Sequence, residues 1–262
     1  MALDRARGLA EKPAMNIRSI VVAAALACAA VVPAAAGEPR AVVELFTSQG
    51  CSSCPPADRL MGKLAQDSSL VTLSLPVDYW DYLGWKDTLA LHGNSTRQRE
   101  YAVTRGDREV YTPQVVVNGV VHVLGSDKAA IERAIAQTRG KAPCTLPVKL
   151  TVTGGKVTVH LPAATGAHKS GEVWLLPVTD EATVKIGRGE NRGRTLNYYN
   201  VVRRWVKLGD WTGEEKDFSV DLTKLAAGGV SLKDIDHVAV LVQSGSAKHP
   251  GLVVGAATAS LR

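Results

Sequence analysis

Apolar residues in this chain come in three textures. One unbroken apolar run lies near the start, buried-strand runs then alternate with helical spacings, and short apolar stretches follow to the end. After the first run, Ala41 to Phe46 is apolar and rich in β-branched residues, and Thr47-Ser48-Gln49-Gly50 follows it, which predicts a buried strand entering a loop. Pro55-Pro56 then opens a segment in which Leu60, Met61 and Leu64 recur at helical spacing. Two prolines are tolerated only in a first turn, so they fix that helix's start. Leu70 to Val77 reads as a second buried strand. A helix of mainly polar surface is expected over Thr88 to Tyr101, weakened in its middle by Gly93-Asn94. Val115 to Val117 and Val120 to Leu124 flank Asn118-Gly119, the dipeptide of a two-residue hairpin. Asp127 starts a last helix to about Thr138, with Ile131 and Ile135 on one face.

The order is strand, helix, strand, helix, hairpin, helix, the minimal thioredoxin topology. Beyond Gly140 the pattern changes to short strands separated by Gly-containing turns: Val148 to Val152, Val157 to Leu161, Val173 to Val178, Val201 to Leu208, Phe218 to Leu222, Val238 to Val242 and Val253 to Ala257. Such spacing argues for an antiparallel sandwich or barrel. The expected fold is therefore an α/β thioredoxin-like N-terminal domain over 37–140, a linker at Lys141-Ala142-Pro143, and an all-β, sandwich-like C-terminal domain over 145–262.

The first 36 residues read as a signal peptide: Arg18, the apolar run Ile20 to Val32, and Pro33-Ala34-Ala35-Ala36 before Gly37. A retained anchor is the alternative, and an acylated Cys28 a further one. Cleavage after Ala36 removes four basic and two acidic residues, lowering the formal charge from +6 to +4. So mild a surplus is no nucleic-acid footprint. The mature chain has no membrane span by hydropathy, and a periplasmic or secreted location follows. Three cysteines then stay: Cys51, Cys54 and Cys144. An odd count leaves a free thiol or a pairing that changes with redox state.

The chemistry sits in Cys51-Ser52-Ser53-Cys54. Only a thiolate attacks a disulfide, so a redox protein needs one cysteine favoured as thiolate and a second in reach to resolve the mixed disulfide. The positive end of a helix supplies the first condition and two intervening residues the second. Cys51 is the expected nucleophile and Cys54 the resolving thiol. The same pair is also half of a zinc site, or an inert disulfide. No metal ligands are assigned, because none of the six histidines stands at ligand spacing to the pair. Thr112-Pro113, ahead of the hairpin, is the expected cis-proline site that presents backbone to an extended substrate. The alternative is a trans proline beginning a strand. Glu44, the only charge in the first strand, is a candidate proton acceptor for Cys54 if it is buried, and a wet surface carboxylate if it is not. The loop Asp78 to Asp87 holds four of the thirteen aromatic residues. Trp80 and Trp85 there are candidate substrate-binding walls, or core residues that pin the loop. Arg97, Gln98 and Tyr101 share a helical face that is read as solvated.

The runs Val43 to Asp58, Asp78-Tyr79-Trp80-Asp81 with Leu83-Gly84-Trp85, and Tyr111-Thr112-Pro113-Gln114 with Val117-Asn118-Gly119 resemble the secreted thioredoxin-like family called domain of unknown function 1223. So do Arg188 to Thr195, Asn200-Val201-Val202 and Leu208-Gly209-Asp210-Trp211. The resemblance covers about 41–259 and implies a thioredoxin-like domain joined to a β-rich one, without naming a substrate. The Arg188 to Thr195 loop, with three arginines, is read as an anion binder, a contact for the acidic loop, or a solvated turn. Gly50 stands where thioredoxins have an aromatic residue. The expected function is an exported thiol-disulfide oxidoreductase that needs no cofactor and whose partners are protein or small-molecule thiols and disulfides. The alternatives are soft-metal binding, of copper or zinc, and a non-catalytic envelope interaction protein.

Overall fold

The computed structural model describes residues 38–226 and 230–261; the expected signal peptide and Cys28 lie outside them. β1 (Ala41–Thr47) is buried along its whole length and lies between β2 (Leu70–Pro76), parallel to it, and β3 (Gln114–Val117), antiparallel. Strand alternation divides its side chains. Ala41, Val43 and Leu45 meet Ala57 and Met61 of α1 (Pro55–Leu64) and Ile131 and Ile135 of α3 (Lys128–Thr138). Val42 and Phe46 meet Tyr101 of α2 (His92–Arg105) on the opposite face.

Local chemistry sets the boundaries. Prolines occupy the first turn of α1. Asp127 caps α3 by accepting from Ala130 N–H at 2.9 Å. Asn118 (φ 51°) and Gly119 (φ 77°) are left-handed at the turn between β3 and β4 (Val121–Leu124), but Val117 pairs with Val121, so the loop has three residues instead of the expected two and Val120 belongs to it, its N–H closing the turn on Val117 O at 3.1 Å. Asn118 also accepts Val42 N–H at 2.7 Å and donates to Thr138 Oγ1 at 2.8 Å, tying the hairpin to β1 and α3.

Helix α2 differs from expectation at both ends. Asp87 accepts Leu89 N–H, and Asn94 donates to Pro76 O, so residues 88–91 are held as a loop and the helix starts at His92. It ends where Gly106 turns left-handed at φ 82°. Its polar face is not solvated: Asn94, Ser95, Gln98 and Tyr101 are buried, each with a hydrogen-bond partner.

The rest of the described chain is strand and loop with short 3-10 turns at Arg139–Lys141, Leu222–Leu225 and Leu232–Asp234: β5 (Lys149–Thr153), β6 (Lys156–Leu161), β7 (Gly171–Lys185), β8 (Thr195–Val202), β9 (Val206–Trp211), β10 (Lys216–Asp221), β11 (His237–Ser246) and β12 (His249–Ser260). The stretch expected as one strand over Val201 to Leu208 is two, β8 ending at Val202 and β9 beginning at Val206. A nine-stranded mixed sheet runs β12-β11-β7-β8-β2-β1-β3-β4, with β9 also on β7, and a three-stranded sheet runs β10-β6-β5. Val159 and Leu161 of the small sheet face Val173, Trp211 and Val240 of the large one across an apolar layer. β8 joins β2 in parallel, with Ser74 opposite Val201. No helix among the described residues is long and apolar enough to cross a membrane.

Candidate functional site

The loop leaving β1 carries the cysteines to the start of α1, where Cys51 and Cys54 form a disulfide with a Cα–Cα distance of 5.4 Å. Both are buried, while Ser52 and Ser53 between them are exposed. The Thr112-Pro113 peptide bond is cis, and Thr112 O lies 3.7 Å from Cys51 Sγ. Trp80 Nε1 donates to Thr112 Oγ1 at 2.8 Å, and Trp85 Nε1 donates to Gln49 Oε1 at 2.8 Å. Trp80 also stacks on Tyr82, which is 77% exposed. Gly50 has a steric reason: a Cβ there would stand 2.9 Å from the Cβ of Trp80. Cys51, Cys54, Thr112, Pro113, Trp80 and Trp85 thus gather around one turn.

Glu44 is elsewhere. It shares the face of Val42 and Phe46, away from α1, and is fully buried rather than wet. Arg97 Nε donates to its Oε1 at 2.8 Å, and Tyr101 OH donates to its Oε2 at 2.6 Å. Gln243 completes the group, accepting from Arg97 Nη2 at 2.9 Å and donating to Tyr101 OH at 2.8 Å. Trp205 lies under the guanidinium, 4.3 Å from ring centre to Cζ. Burial acts most strongly on Arg97 and lowers its pKa, but the Glu44 charge and hydrogen bond, together with Tyr101 and Glu172, outweigh it and the net shift is upward.

The carboxyl on the cysteine side of β1 is that of Asp58. It is 3% exposed and lies on the buried stripe of α1 with Ala57, Met61 and Leu64. Its amide donates to Cys54 O, so the two residues are a full helical turn apart with side chains on one face. Thr47 Oγ1 donates to Oδ1 at 2.7 Å. Oδ2 has no partner among the described residues, and neither has the buried hydroxyl of Tyr198 on β8. Burial pushes the Asp58 pKa up to about 8, against the Thr47 hydrogen bond and with help from the nearby Asp87 charge. Asp87 is raised to about 6 by burial, although it accepts Gln49 N–H and Leu89 N–H. A cleft of about 270 Å³ opens beside Asp58, between Pro55 and Arg59 on one side and Thr195, Asn197 and Tyr199 on the other. The signal in the sequence was an aspartate four residues after Cys54, in phase with Met61.

A larger concavity of about 530 Å³, lined by Arg105, His122, Lys141 and Gly251 among others, includes none of the expected site residues. Cys144 is a free, buried thiol whose pKa burial pushes up to about 12. The loop between β7 and β8 reaches the cysteine turn: Asn191 Nδ2 donates to Gln49 O at 3.0 Å and Cys51 O at 2.8 Å, and Glu190 Oε2 accepts from Ser52 N–H at 3.1 Å.

No curated protein matches the chain. A crystal structure of a protein from Agrobacterium tumefaciens is similar to it at 36% identity, over 84% of this chain and 93% of that one, with a TM-score of 0.72. HBP35 of Porphyromonas gingivalis shares the fold at 15% identity, with a TM-score of 0.55 over 86% of this chain and 76% of that one. The profile of a family described as a protein of unknown function, DUF1223, matches residues 42–243, and the chain belongs to that family.

Proposed function

We propose that the protein is an exported thiol-disulfide oxidoreductase, periplasmic or secreted, with a thioredoxin-like domain over 37–140 and a β-rich domain over 145–262. The observation that carries this reading is the Cys51–Cys54 disulfide at a helix start, faced by the Thr112 carbonyl of a cis peptide bond. Partners are protein or small-molecule thiols and disulfides. In the oxidising direction a substrate thiolate attacks Cys51 Sγ, the Cys51–Cys54 bond breaks, and Cys54 leaves as a thiolate. A second substrate thiolate then attacks the mixed disulfide and expels Cys51, so two electrons pass from substrate to protein. The reducing direction runs the same steps backwards. Thr112 and Pro113 receive the substrate backbone, with Trp80 and Trp85 shaping the wall around it.

Cys54 must gain a proton when it leaves and lose one when it attacks. The sequence gives that task to Glu44, but both oxygens of Glu44 are engaged by Arg97 and Tyr101 on the far face of β1. Asp58 fits the task better: it is on the Cys54 side, holds a proton at neutral pH, and borders a cleft open to solvent. Equilibration of the purified protein with glutathione, trapped by alkylation, tests the function. Reversible exchange in the wild type, abolished in Cys51→Ser, is expected; a wild-type pair that never exchanges overturns the reading. Asp58→Asn is expected to slow formation or release of Cys54 by roughly tenfold or more at neutral pH while leaving Cys51 alkylation unchanged.

A further inference from the structure

The Ile186 to Arg194 loop carries the most distinctive motif of the second half of the chain, and none of the exchange steps at the cysteines calls on it. The loop closes on itself through Ile186 N–H to Arg194 O at 2.9 Å and Gly193 N–H to Ile186 O at 2.8 Å. It is fitted to its neighbours. A Cβ on Gly187 would stand 2.9 Å from Cζ3 of Trp85, and Gly189 is left-handed at φ +75°. Asn191, fully buried, is oriented by Arg194 Nη1 donating to its Oδ1 at 2.8 Å, so its amide hydrogens point at Gln49 O and Cys51 O. That arrangement sets Glu190 on the peptide that follows Cys51, with Oε2 3.1 Å from Ser52 N.

A thiolate at a helix start is stabilised by unsatisfied backbone N–H groups and by nearby positive charge. Glu190 opposes both. It occupies the first N–H after Cys51 and brings a negative charge to the same turn. Hydrogen bonds from Ser52 hold the Glu190 carboxyl below its ordinary range, so it is charged wherever a thiol titrates. Among the described residues Glu190 forms no salt bridge. The other charged residues of α1, of the segment after Trp85 and of the loop itself are the buried Asp58 and Asp87 and the exposed Arg59, Arg188, Arg192 and Arg194.

We infer that Glu190 is a positioning residue that disfavours the Cys51 thiolate, biasing the pair toward its disulfide, so that the protein donates electrons to substrate disulfides rather than withdrawing them from thiols. The direction of electron flow rests on the oxidoreductase reading; the effect on Cys51 does not. In that direction Cys51 attacks a substrate sulfur, and the substrate S–S bond breaks to leave one substrate thiol. Cys54 then attacks Cys51, which releases the second substrate thiol and closes the Cys51–Cys54 disulfide. Two electrons and two protons reach the substrate, and a dithiol reductant must restore the pair. A less stable thiolate in the reduced state makes the reduced pair the stronger donor.

The test begins in a Cys54→Ser background, where Cys51 is free without any reductant. The rate of its alkylation by iodoacetamide is followed against pH, with and without Glu190→Gln. The expected result is a profile displaced to lower pH, with alkylation at pH 7 faster by about three- to tenfold. Glu181→Gln, a carboxylate on β7 that accepts from Asn197, is the control and leaves the profile in place. Superimposable profiles for Glu190→Gln and its parent overturn the inference. Should Glu190→Gln fail to fold, Glu190→Ser decides in its place: loss of the carboxylate moves the profile the same way, and no movement overturns the inference. With both cysteines intact, Glu190→Gln is expected to be reduced at a lower ratio of reduced to oxidised glutathione. A wild-type pair that never exchanges with glutathione sinks the oxidoreductase reading, while the alkylation profiles still decide what Glu190 does.

Discussion

Two buried carboxylates flank the same strand and are treated in opposite ways. On the α2 face Glu44 is matched group for group: Arg97 supplies the charge, Tyr101 a hydroxyl donor, and Gln243 bonds to both of them. On the α1 face Asp58 receives one hydrogen bond from Thr47, and it shares its surroundings with Asp87 and with the Tyr198 hydroxyl; its second oxygen and that hydroxyl have no partner among the described residues. Burying a charge is costly unless it is paired, and a carboxyl without a cation keeps its proton instead. The first arrangement is what a structural ion pair needs. The second costs stability and is placed a helical turn from Cys54, where a group that exchanges protons near neutral pH has a use.

Removing the cation from the first cluster is expected to give the largest effect. Arg97→Met leaves Glu44 buried without its partner and should cost about 3–5 kcal/mol in urea unfolding. Adding Glu44→Gln should recover part of that loss. A loss below about 1 kcal/mol would mean that the two clusters are not different in kind.

Asp58 sharpens the contrast through pH. Its folded-state pKa is raised, from the ordinary 3.8 to about 8. Between those values the folded protein holds a proton that the unfolded chain releases, so stability is greatest below pH 4 on this account and declines as pH rises toward 8. Asp58→Asn keeps the shape of the protonated acid and removes the titration. At pH 9 the variant should be more stable than wild type by about 1–3 kcal/mol, with near equality at pH 4. A shallower decline below pH 6 should persist in both proteins, because Asp87 is raised to about 6 by the same cause. Parallel stability curves for variant and wild type would show that Asp58 is ionised in the fold.

What made one cluster legible in the sequence and the other not is a matter of range. The start of α1 at Pro55-Pro56, the turn at Asn118-Gly119 and the Asp127 cap are dictated by residues within a few positions of one another, and each stands where the pattern places it, although the hairpin loop takes in Val120 as well. Asp58 was within reach by the same means, since helical phase alone puts it with Cys54 and Met61. The fate of Glu44 was half readable. Alternation along β1 assigns it to the face of Val42 and Phe46, but only packing shows which face α1 covers. The polar residues of α2 misled because polarity alone does not separate a wet face from one whose partners come from far away: Arg97 meets Gln243 across 146 positions. The junction of β2 with β8 and the contact of Glu190 with Ser52, 138 positions apart, are set by tertiary packing, and nothing local announces them.

The smallest effect is expected at Tyr198, and the matching substitution at Tyr101 in the other cluster gives it a reference. Tyr101 and Tyr198 are both fully buried, and burial raises the pKa of both hydroxyls, so neither ionises in the fold. They differ in partners. The Tyr101 hydroxyl donates to Glu44 and accepts from Arg97 and Gln243, whereas that of Tyr198 has none among the described residues. Deleting a hydroxyl costs the hydrogen bonds it made and leaves its partners unsatisfied, but it relieves a cost where the hydroxyl was buried alone. Tyr101→Phe should therefore destabilise by about 1.5–3 kcal/mol, and Tyr198→Phe should change stability by less than about 0.5 kcal/mol or raise it slightly. Equal losses in urea unfolding would mean that the Tyr198 hydroxyl is bonded in solution. Asp58 would then lie in a hydrated pocket, and its retained proton would lose its physical cause.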